Sequence, residues 1–230
     1  MQKNTLKDII KGICVIAIYF IFSLFSTVPF NLMHIDYNAV PIFIKEIYNV
    51  CVEILMIVLF VLIFKNVFIK SFIDIKENHK TYFNKYLKYY ILGLVIMVSC
   101  NALITVLGGS TSDNETAIRT EFEVYPIYTF ISAVILAPIV EETTFRLGFR
   151  KIISNNVLFI IISGLVFGSL HLIGMFNNPL VLLYLCSYSA LGCIFAYILS
   201  KTNNIFVSMG FHFMHNGILM SIQFLALLLS

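Results

Sequence analysis

Long uninterrupted runs of apolar residues alternate with short polar segments along the whole of this 230-residue chain. A helix needs about 20 mostly apolar residues to cross the hydrocarbon core of a bilayer. Seven stretches have this length, at roughly residues 9–30, 48–68, 89–107, 125–145, 157–175, 180–200 and 205–229. We therefore predict an all-α, polytopic transmembrane helical bundle of about seven spans, and six to eight spans are compatible with the pattern.

The charges that separate these runs alternate in sign along the chain. Lysines precede the first run and fill residues 65–88, and basic residues follow the fourth and the sixth run, whereas the intervening segments are acidic or uncharged. Because membrane proteins keep their basic loops on the cytoplasmic side, this alternation predicts a cytoplasmic N-terminus. Residues 70–90 mix lysines with aromatic and aliphatic side chains, as in an interfacial amphipathic helix, although a solvated basic loop also fits.

Composition agrees with a membrane protein and excludes several other classes. The chain is 60% hydrophobic and 12% charged, whereas soluble domains have about 25% charged residues. We expect a multi-pass integral protein of a bacterial plasma membrane, and the bacterial origin is inferred from the Lys-, Ile- and Asn-rich composition. No basic, aromatic-interleaved segment is long enough to indicate nucleic-acid binding. The five cysteines lie within apolar runs and are predicted to be small buried hydrophobic residues.

Two adjacent acids and an arginine end the fourth apolar run, in the motif Glu141-Glu142-x-x-x-Arg146. An acid within a membrane span is costly unless it is paired or wet, so it marks a candidate functional site. Glu142 and Arg146 are four residues apart and can pair on one face of a helix. Glu141 points about 100° away from Glu142, which leaves it available as a base. Arg146 is expected to extend towards the cytoplasmic surface.

Polar residues also interrupt the fifth and seventh runs. His171 follows Phe167 by four residues in the fifth run, among small residues that allow helices to approach closely. His212 and Asn216 are four residues apart in the seventh run, and His215 is an alternative to either. Each group alone is equally compatible with hydrogen bonding between helices.

Depth in the membrane brings these groups together. At the helical rise, Glu141 lies ~13 Å from the cytoplasmic boundary, His212 ~12 Å and His171 ~22 Å. We therefore predict that they converge in one half-buried cavity. A carboxylate and an imidazole can hold and deprotonate a water molecule, and a second imidazole with a carboxamide can stabilise a developing oxyanion. This combination is typical of a hydrolase that acts on an amide carbonyl.

The order Glu-Glu-x-x-x-Arg, Phe-x-x-x-His and His-x-x-x-Asn, each motif in its own span, resembles the CPBP family of CAAX proteases and bacteriocin-processing enzymes, also called the Abi family. The resemblance covers about residues 125–220. Members of this family are polytopic intramembrane endopeptidases. The resemblance implies a catalytic transmembrane core in residues 125–230, preceded by N-terminal transmembrane helices in residues 1–124 with the basic cytoplasmic loop at 65–88.

The resemblance also implies a role for each site residue. Glu141 would be the general base, and His171 would position or polarise the water. His212 and Asn216 would form the oxyanion site, with the second acid and the arginine as an orienting pair. Glu141, His171 and His212 are also a conceivable zinc ligand set. However, the chain lacks a His-Glu-x-x-His helix, so we favour a metal-free glutamate mechanism over a metalloprotease.

The substrates implied by the family are leader peptides, small secreted or signalling peptides and prenylated C-termini, cut at or near the cytoplasmic face of the membrane. The basic segment 65–88 would recruit an acidic peptide or anionic lipid. Two other functions fit a membrane protein of this kind. One is a non-enzymatic protein for bacteriocin self-immunity or partner scaffolding, and the other is a small transporter with a Glu/His proton relay. The confinement of the polar residues to three spans argues against transport.

Overall fold

Helices make up almost all of the described chain, residues 4–229 of a computed structural model, and this part contains no strand. The helices are α1 Leu6–Leu24, α2 Val28–Leu32, α3 Ile42–Val106, α4 Asp113–Val124, α5 Pro126–Ile152, α6 Asn156–Leu170, α7 Val181–Thr202 and α8 Ile205–Leu229. Within the described residues, four helices are long and apolar enough to cross a membrane, namely α3, α5, α7 and α8. The predicted all-α membrane bundle is confirmed.

Helix α3 contains both of the apolar segments that the hydropathy pattern assigns to the second and third spans. It runs for 65 residues, and one residue, Phe64, leaves helical geometry and kinks it. Residues 42–92 contain neither glycine nor proline, and lysine is a good helix former, so nothing in the basic segment stops the helix. The alternative of a solvated basic loop at residues 70–90 is therefore wrong. The number of spans stays a prediction, because one helix holds two of them.

Contacts between helices place the basic segments at one end of the bundle, which we call the basic end. Lys151 Nζ lies 2.9 Å from Asp8 Oδ1, which joins the start of α1 to the end of α5. Asn204, just before α8, donates from Nδ2 to Asp74 Oδ2 of α3 at 2.6 Å. Asn204 also lowers the pKa of Asp74, since its hydrogen bond stabilises the ionised carboxylate.

The opposite end, which we call the α4 end, carries the segment between α3 and α5. The sequence predicts a flexible loop at residues 108–114, but this segment packs against the bundle and leads into helix α4. Tyr184 of α7 donates its hydroxyl to Ser110 O at 2.6 Å, and Ser112 caps α4 by accepting from Glu115 N at 3.3 Å. A side chain at Gly109 would collide with Ile104 and Leu180.

Helices α6 and α7 pack closely because small residues line their interface. A Cβ atom added at Gly164 would lie 2.3 Å from Cys193 Sγ, and one added at Gly168 would lie 2.2 Å from Ser189 Oγ. The close approach predicted for this glycine- and serine-rich span is thus confirmed. It fixes the end of α6, where His171 lies, against the middle of α7.

The cysteines differ from the prediction. All five are free thiols, and none is fully buried: Cys14, Cys51 and Cys186 are exposed, and Cys100 and Cys193 are half-buried. A helix that crosses a membrane can present apolar residues outward, so position in an apolar run does not imply burial within the protein.

Candidate active site

The candidate site residues converge on one cavity of about 630 Å³. Its wall includes Glu141 from α5, His171 from the end of α6, and His212 and Asn216 from α8. The convergence expected from their membrane depth is therefore confirmed for these four residues. The remaining pair, Glu142 and Arg146, is fully buried behind this wall.

Glu142 is the most thoroughly partnered acid in the site. Its Oε1 lies 3.0 Å from His212 Nδ1 and 3.3 Å from Arg146 Nη2, and its Oε2 accepts from Ser208 Oγ at 2.7 Å. The predicted Glu142–Arg146 pairing is confirmed. A buried carboxylate needs such partners because its desolvation costs several kcal/mol. Glu142 therefore holds α5 to α8 through Ser208 and His212.

Arg146 does not reach the cytoplasmic surface, as the sequence led us to expect. Its side chain is 0% exposed, and its Cζ lies 4.4 Å from the ring centre of Phe167 and 5.9 Å from that of Phe195. The carboxylate of Glu142 and these two rings face the buried charge, because a flat guanidinium stacks well on aromatic faces. Within the described residues, the three guanidinium nitrogens of Arg146 are buried and make no hydrogen bond. Arg146 therefore finds its partners, one acid and two aromatic rings, inside the bundle and does not extend to water.

His212 lies between the two glutamates. Its Nδ1 is 3.0 Å from Glu142 Oε1 and its Nε2 is 3.6 Å from Glu141 Oε2. The ring stacks on Phe195 at 5.0 Å and is almost fully buried. Since an ionised carboxylate cannot donate a hydrogen bond, Nδ1 donates to Glu142. This bond orients the ring so that Nε2 faces Glu141 and the cavity.

Glu141 is exposed to the cavity and lacks the ion pair with Arg146 that Glu142 makes. Its side chain is 20% exposed, compared with 0% for Glu142. The sequence predicts that its partners come from other helices, and His212 of α8 is one of them. Adjacent residues on one helix thus differ sharply in surroundings, and Glu141 is the one that water or substrate can reach.

His171 has one ring nitrogen engaged and one available. Its Nδ1 lies 2.9 Å from Phe167 O, and because a carbonyl oxygen only accepts, Nδ1 must carry the proton. The other nitrogen, Nε2, then presents a lone pair. Tyr188 stacks on the ring at 4.7 Å and holds it in the cavity wall. The spacing of four residues in Phe167-x-x-x-His171 is what allows this bond between side chain and backbone.

Asn216 is fixed by a bond to α5. Its Nδ2 donates to Ala133 O at 2.7 Å, and this uses one of its two N–H groups. His215, the alternative to His212, lines the same cavity but lies 3.3 Å from Tyr90 Oη through its Nδ1. In the described structure His212, and not His215, contacts the two glutamates.

Two π-helical stretches interrupt α5, at Ile131–Leu136 and Glu142–Gly148. Such wide turns are frequent at functional sites. Pro138 has no N–H to donate to the preceding turn, so the helix cannot keep regular bonding just after the first stretch. In the second, Phe145 O accepts from Ser163 Oγ of α6 at 2.7 Å. These irregular turns fix the acidic motif against α6.

Two further polar residues of the spans have partners on other helices. Asn101 of α3 accepts from Ser187 Oγ of α7 at 2.8 Å. Glu53 accepts from Ser132 Oγ of α5 at 3.0 Å, and so it is held within the bundle and does not need to extend to the outer surface.

Sequence reasoning missed Ser208 and the aromatic residues around the site. Ser208 precedes His212 by four residues on α8, so helical spacing was a usable signal for its contact with Glu142. The positions of Tyr188 and Phe195 could not be read from the sequence, because both lie on α7, which carries no motif.

The ligand set for a zinc ion is not assembled in this arrangement. Within the described residues, no three His, Cys, Asp or Glu side chains are grouped so that they could hold a metal ion. Both ring nitrogens of His212 already face carboxylates.

Comparison with known proteins supports a protease. Residues 123–218 match the family model described as Type II CAAX prenyl endopeptidase Rce1-like, and this stretch contains all the motif residues. No curated protein and no solved structure matches the chain. The predicted CPBP resemblance is therefore confirmed over residues 123–218, which are similar to an Rce1-like CAAX-type protease, and the long apolar helices support an integral membrane protein.

Proposed function

We propose that this protein is a glutamate-type intramembrane endopeptidase that hydrolyses a peptide bond in a membrane-associated peptide of the leader or prenylated type. The main support is the difference between the two adjacent acids. Glu141 lines the cavity with His171, His212 and Asn216, whereas Glu142 is buried behind them. One carboxylate is thus free for chemistry, and its neighbour orients the imidazole.

The first step is attack by water on the substrate carbonyl carbon. Glu141 accepts one proton of the water, and the Nε2 lone pair of His171 accepts a hydrogen bond from the other O–H. The water oxygen then bonds to the carbonyl carbon, and the carbonyl π electrons move to oxygen. General-base catalysis of this kind contributes about 10²–10⁴-fold.

The oxyanion is stabilised from α8. His212 donates from Nε2 when it carries both protons, and Asn216 donates through its second N–H. Removal of one such donor typically costs about 10²–10³ in rate. A protonated His212 is compatible with this buried site, because Glu141, Glu142, Arg146 and His212 then carry two negative and two positive charges.

Collapse of the tetrahedral intermediate completes the reaction. The C–N bond breaks, the carbonyl re-forms, and Glu141 returns its proton to the leaving amine. The released products are a carboxylic acid and an amine, which exchange the remaining proton to give a carboxylate and an ammonium ion. All of these steps use side chains of this chain, and the proposal requires no metal.

The test compares Glu141→Gln and His171→Ala with the unmodified protein in lipid nanodiscs. The substrates are reporter peptides tethered to a transmembrane anchor, and mass spectrometry identifies new termini. Glu53→Gln is the matched control, because it also neutralises a half-buried acid of the bundle but lies outside the cavity wall. We expect both site variants to lose cleavage while the control keeps it. Cleavage by both site variants would overturn the proposed catalytic site, and absence of cleavage by the unmodified protein would favour a non-enzymatic immunity or scaffolding role.

The mechanism without metal has its own test. Metal analysis of the purified protein, followed by chelation and activity assay, should give substoichiometric zinc and unchanged cleavage. One zinc per chain with loss of cleavage on chelation would instead establish a metalloprotease.

A further inference from the structure

The exposed part of the cavity wall lies at one end of the bundle. Of the residues that line the cavity, five are exposed, and all belong to the segment of residues 101–119: Asn101, Thr105, Ser110, Thr111 and Arg119. The other lining residues, among them Phe195 and His212, are buried or half-buried. The cavity therefore opens at the α4 end.

The opposite side of the site is closed by packed side chains. All residues from 142 to 148 are buried, and on α8 Ile205, Ser208 and Met209 are each 0% exposed. Interiors packed to this degree contain few voids larger than a water molecule. A peptide that approached from the basic end would have to displace this layer, including the Glu142–Arg146 pair.

Charge fixes which side of the membrane each end faces. Lys151, Lys201 and the lysines in the middle of α3 lie at or towards the basic end, and basic segments stay in the cytoplasm. The α4 end, with the cavity mouth, then faces away from the cytoplasm. This separates the mouth from the basic segment that the sequence led us to consider as a recruitment site for acidic peptides.

Helix α4 borders the mouth and is acidic as a whole. It carries four acidic residues and one basic residue, and the basic one, Arg119, is paired with Glu115 at 2.8 Å. This pair lines the cavity, and the other three acids of α4 lie outside its lining. A peptide with acidic residues near the scissile bond would meet like charge here, whereas a neutral or basic peptide would not.

We infer that the site takes its substrate from the α4 end, as a neutral or basic peptide segment on the non-cytoplasmic side of the membrane. Of the two substrate types in the proposed function, this selects the leader type and not a prenylated cytoplasmic C-terminus. This inference rests on the proposed function for the cleavage itself. The direction of access rests only on the cavity wall, the packed layer and the charge pattern.

Cysteine labelling tests the direction of access without requiring catalysis. Thr111→Cys probes the mouth and Ala137→Cys probes the cavity wall one turn before Glu141. Thr144→Cys probes the packed layer, and Lys76→Cys probes the basic segment. Each variant is treated with a charged, membrane-impermeant methanethiosulfonate reagent, in intact cells and in inside-out vesicles. The unmodified chain under the same treatment gives the background from its native cysteines.

We expect Thr111→Cys and Ala137→Cys to lose their free thiol in intact cells only. Lys76→Cys should lose it in inside-out vesicles only, and Thr144→Cys in neither. Labelling of Ala137→Cys from the basic side, from both sides or from neither would overturn the inference. Failure of the reporter-peptide assay would overturn the proposed function but would leave the labelling pattern unchanged, so the two failures are distinguishable.

The charge preference is tested with reporter peptides that differ only in flanking residues. Lysine-flanked and uncharged reporters should be cut faster than glutamate-flanked ones, and Glu115→Gln should reduce this difference. Faster cleavage of the glutamate-flanked reporter would overturn the substrate class.

Discussion

His212 donates its Nδ1–H to Glu142, and this single 3.0 Å bond determines which way its other nitrogen points. The acid that orients the ring is fully buried, so it is not itself available to substrate. The acid that shares the cavity with substrate is its sequence neighbour, Glu141. Two adjacent residues thus divide the work, one as an orienting acid and the other as a reactive acid.

The first prediction concerns the reactive acid. Glu141→Gln should abolish detectable cleavage, by about 10²–10⁴-fold as expected for loss of a general base. The unfolding temperature in detergent should change little, because Glu141 lacks the ion pair that anchors Glu142 to Arg146. Cleavage rate and thermal unfolding are measured on the same preparation, and a large loss of stability would indicate a structural acid instead.

The second prediction concerns the orienting acid. Glu142→Gln should destabilise the protein, because it leaves Arg146 buried without its counter-charge, a change that typically costs about 3–5 kcal/mol. The double variant Glu142→Gln with Arg146→Met should lose less than the two single variants together. Additive losses in unfolding free energy would mean that the pair is not coupled.

The same variant provides a kinetic readout. Loss of the Glu142 carboxylate weakens the bond that orients the His212 ring, so kcat should fall by more than KM changes. An unchanged kcat would contradict an orienting role for Glu142, even if the variant were less stable.

The third prediction concerns Arg146. Arg146→Ala should lower stability by about 3–5 kcal/mol, since Glu142 would be left as a buried and poorly compensated charge. Arg146→Lys should not restore wild-type stability, because an ammonium group cannot stack flat between Phe167 and Phe195. The unfolding temperatures of the unmodified protein, Arg146→Ala and Arg146→Lys measure these effects. Full recovery of stability in Arg146→Lys would show that charge alone matters.

The fourth prediction concerns the oxyanion donor on α8. Asn216→Ala should lower kcat by about 10²–10³-fold with a smaller change in KM, because the interaction strengthens in the transition state. Asn216→Asp removes both N–H groups at nearly constant volume and should lose a similar factor. A variant that changes KM alone would assign Asn216 to substrate binding.

The fifth prediction concerns helix α4, which borders the cavity mouth. Burial raises the pKa of Glu121 on α4 to about 7, with hydrogen bonding and repulsion from Glu46 adding to the effect. The pKa of Glu121 in the folded state is raised above the usual 4.5. The contribution of Glu121 to the free energy of unfolding is therefore fully present below the pKa of the unfolded state, and it is lost as the pH rises through about 7.

Helix α4 should therefore become more accessible to protease as the pH rises from about 5 to about 8, a range set by the usual and the raised pKa of Glu121. Limited proteolysis across this range measures the effect, and Glu121→Gln should flatten the response. Glu123→Gln, an exposed acid on the same helix, is the matched control and should leave the response unchanged. The same sensitivity in Glu121→Gln would assign the effect to another group.

Much of the architecture was determined by the sequence alone. Apolar run length predicts the membrane helices, because a bilayer leaves few alternatives to a helix for satisfying backbone groups. Motif spacing predicts the Glu142–Arg146 pair, because residues four apart meet on one helical face. The grouping of Glu141, His171 and His212 was predicted from their depth within the membrane, which counting residues along each helix supplies.

Tertiary structure decided how each of these residues is used. Whether Arg146 reaches water or remains buried depends on Phe167 and Phe195, which come from α6 and α7 and reach the guanidinium only through packing between helices. The contact of His212 with both glutamates depends on how α8 packs against the irregular turns of α5. The direction in which the cavity opens depends on the packing of residues 101–119, which the sequence divides into the end of a span, up to residue 107, and a flexible loop at residues 108–114. Local spacing determines which side chains share a face of one helix, but only packing between helices determines which face meets water.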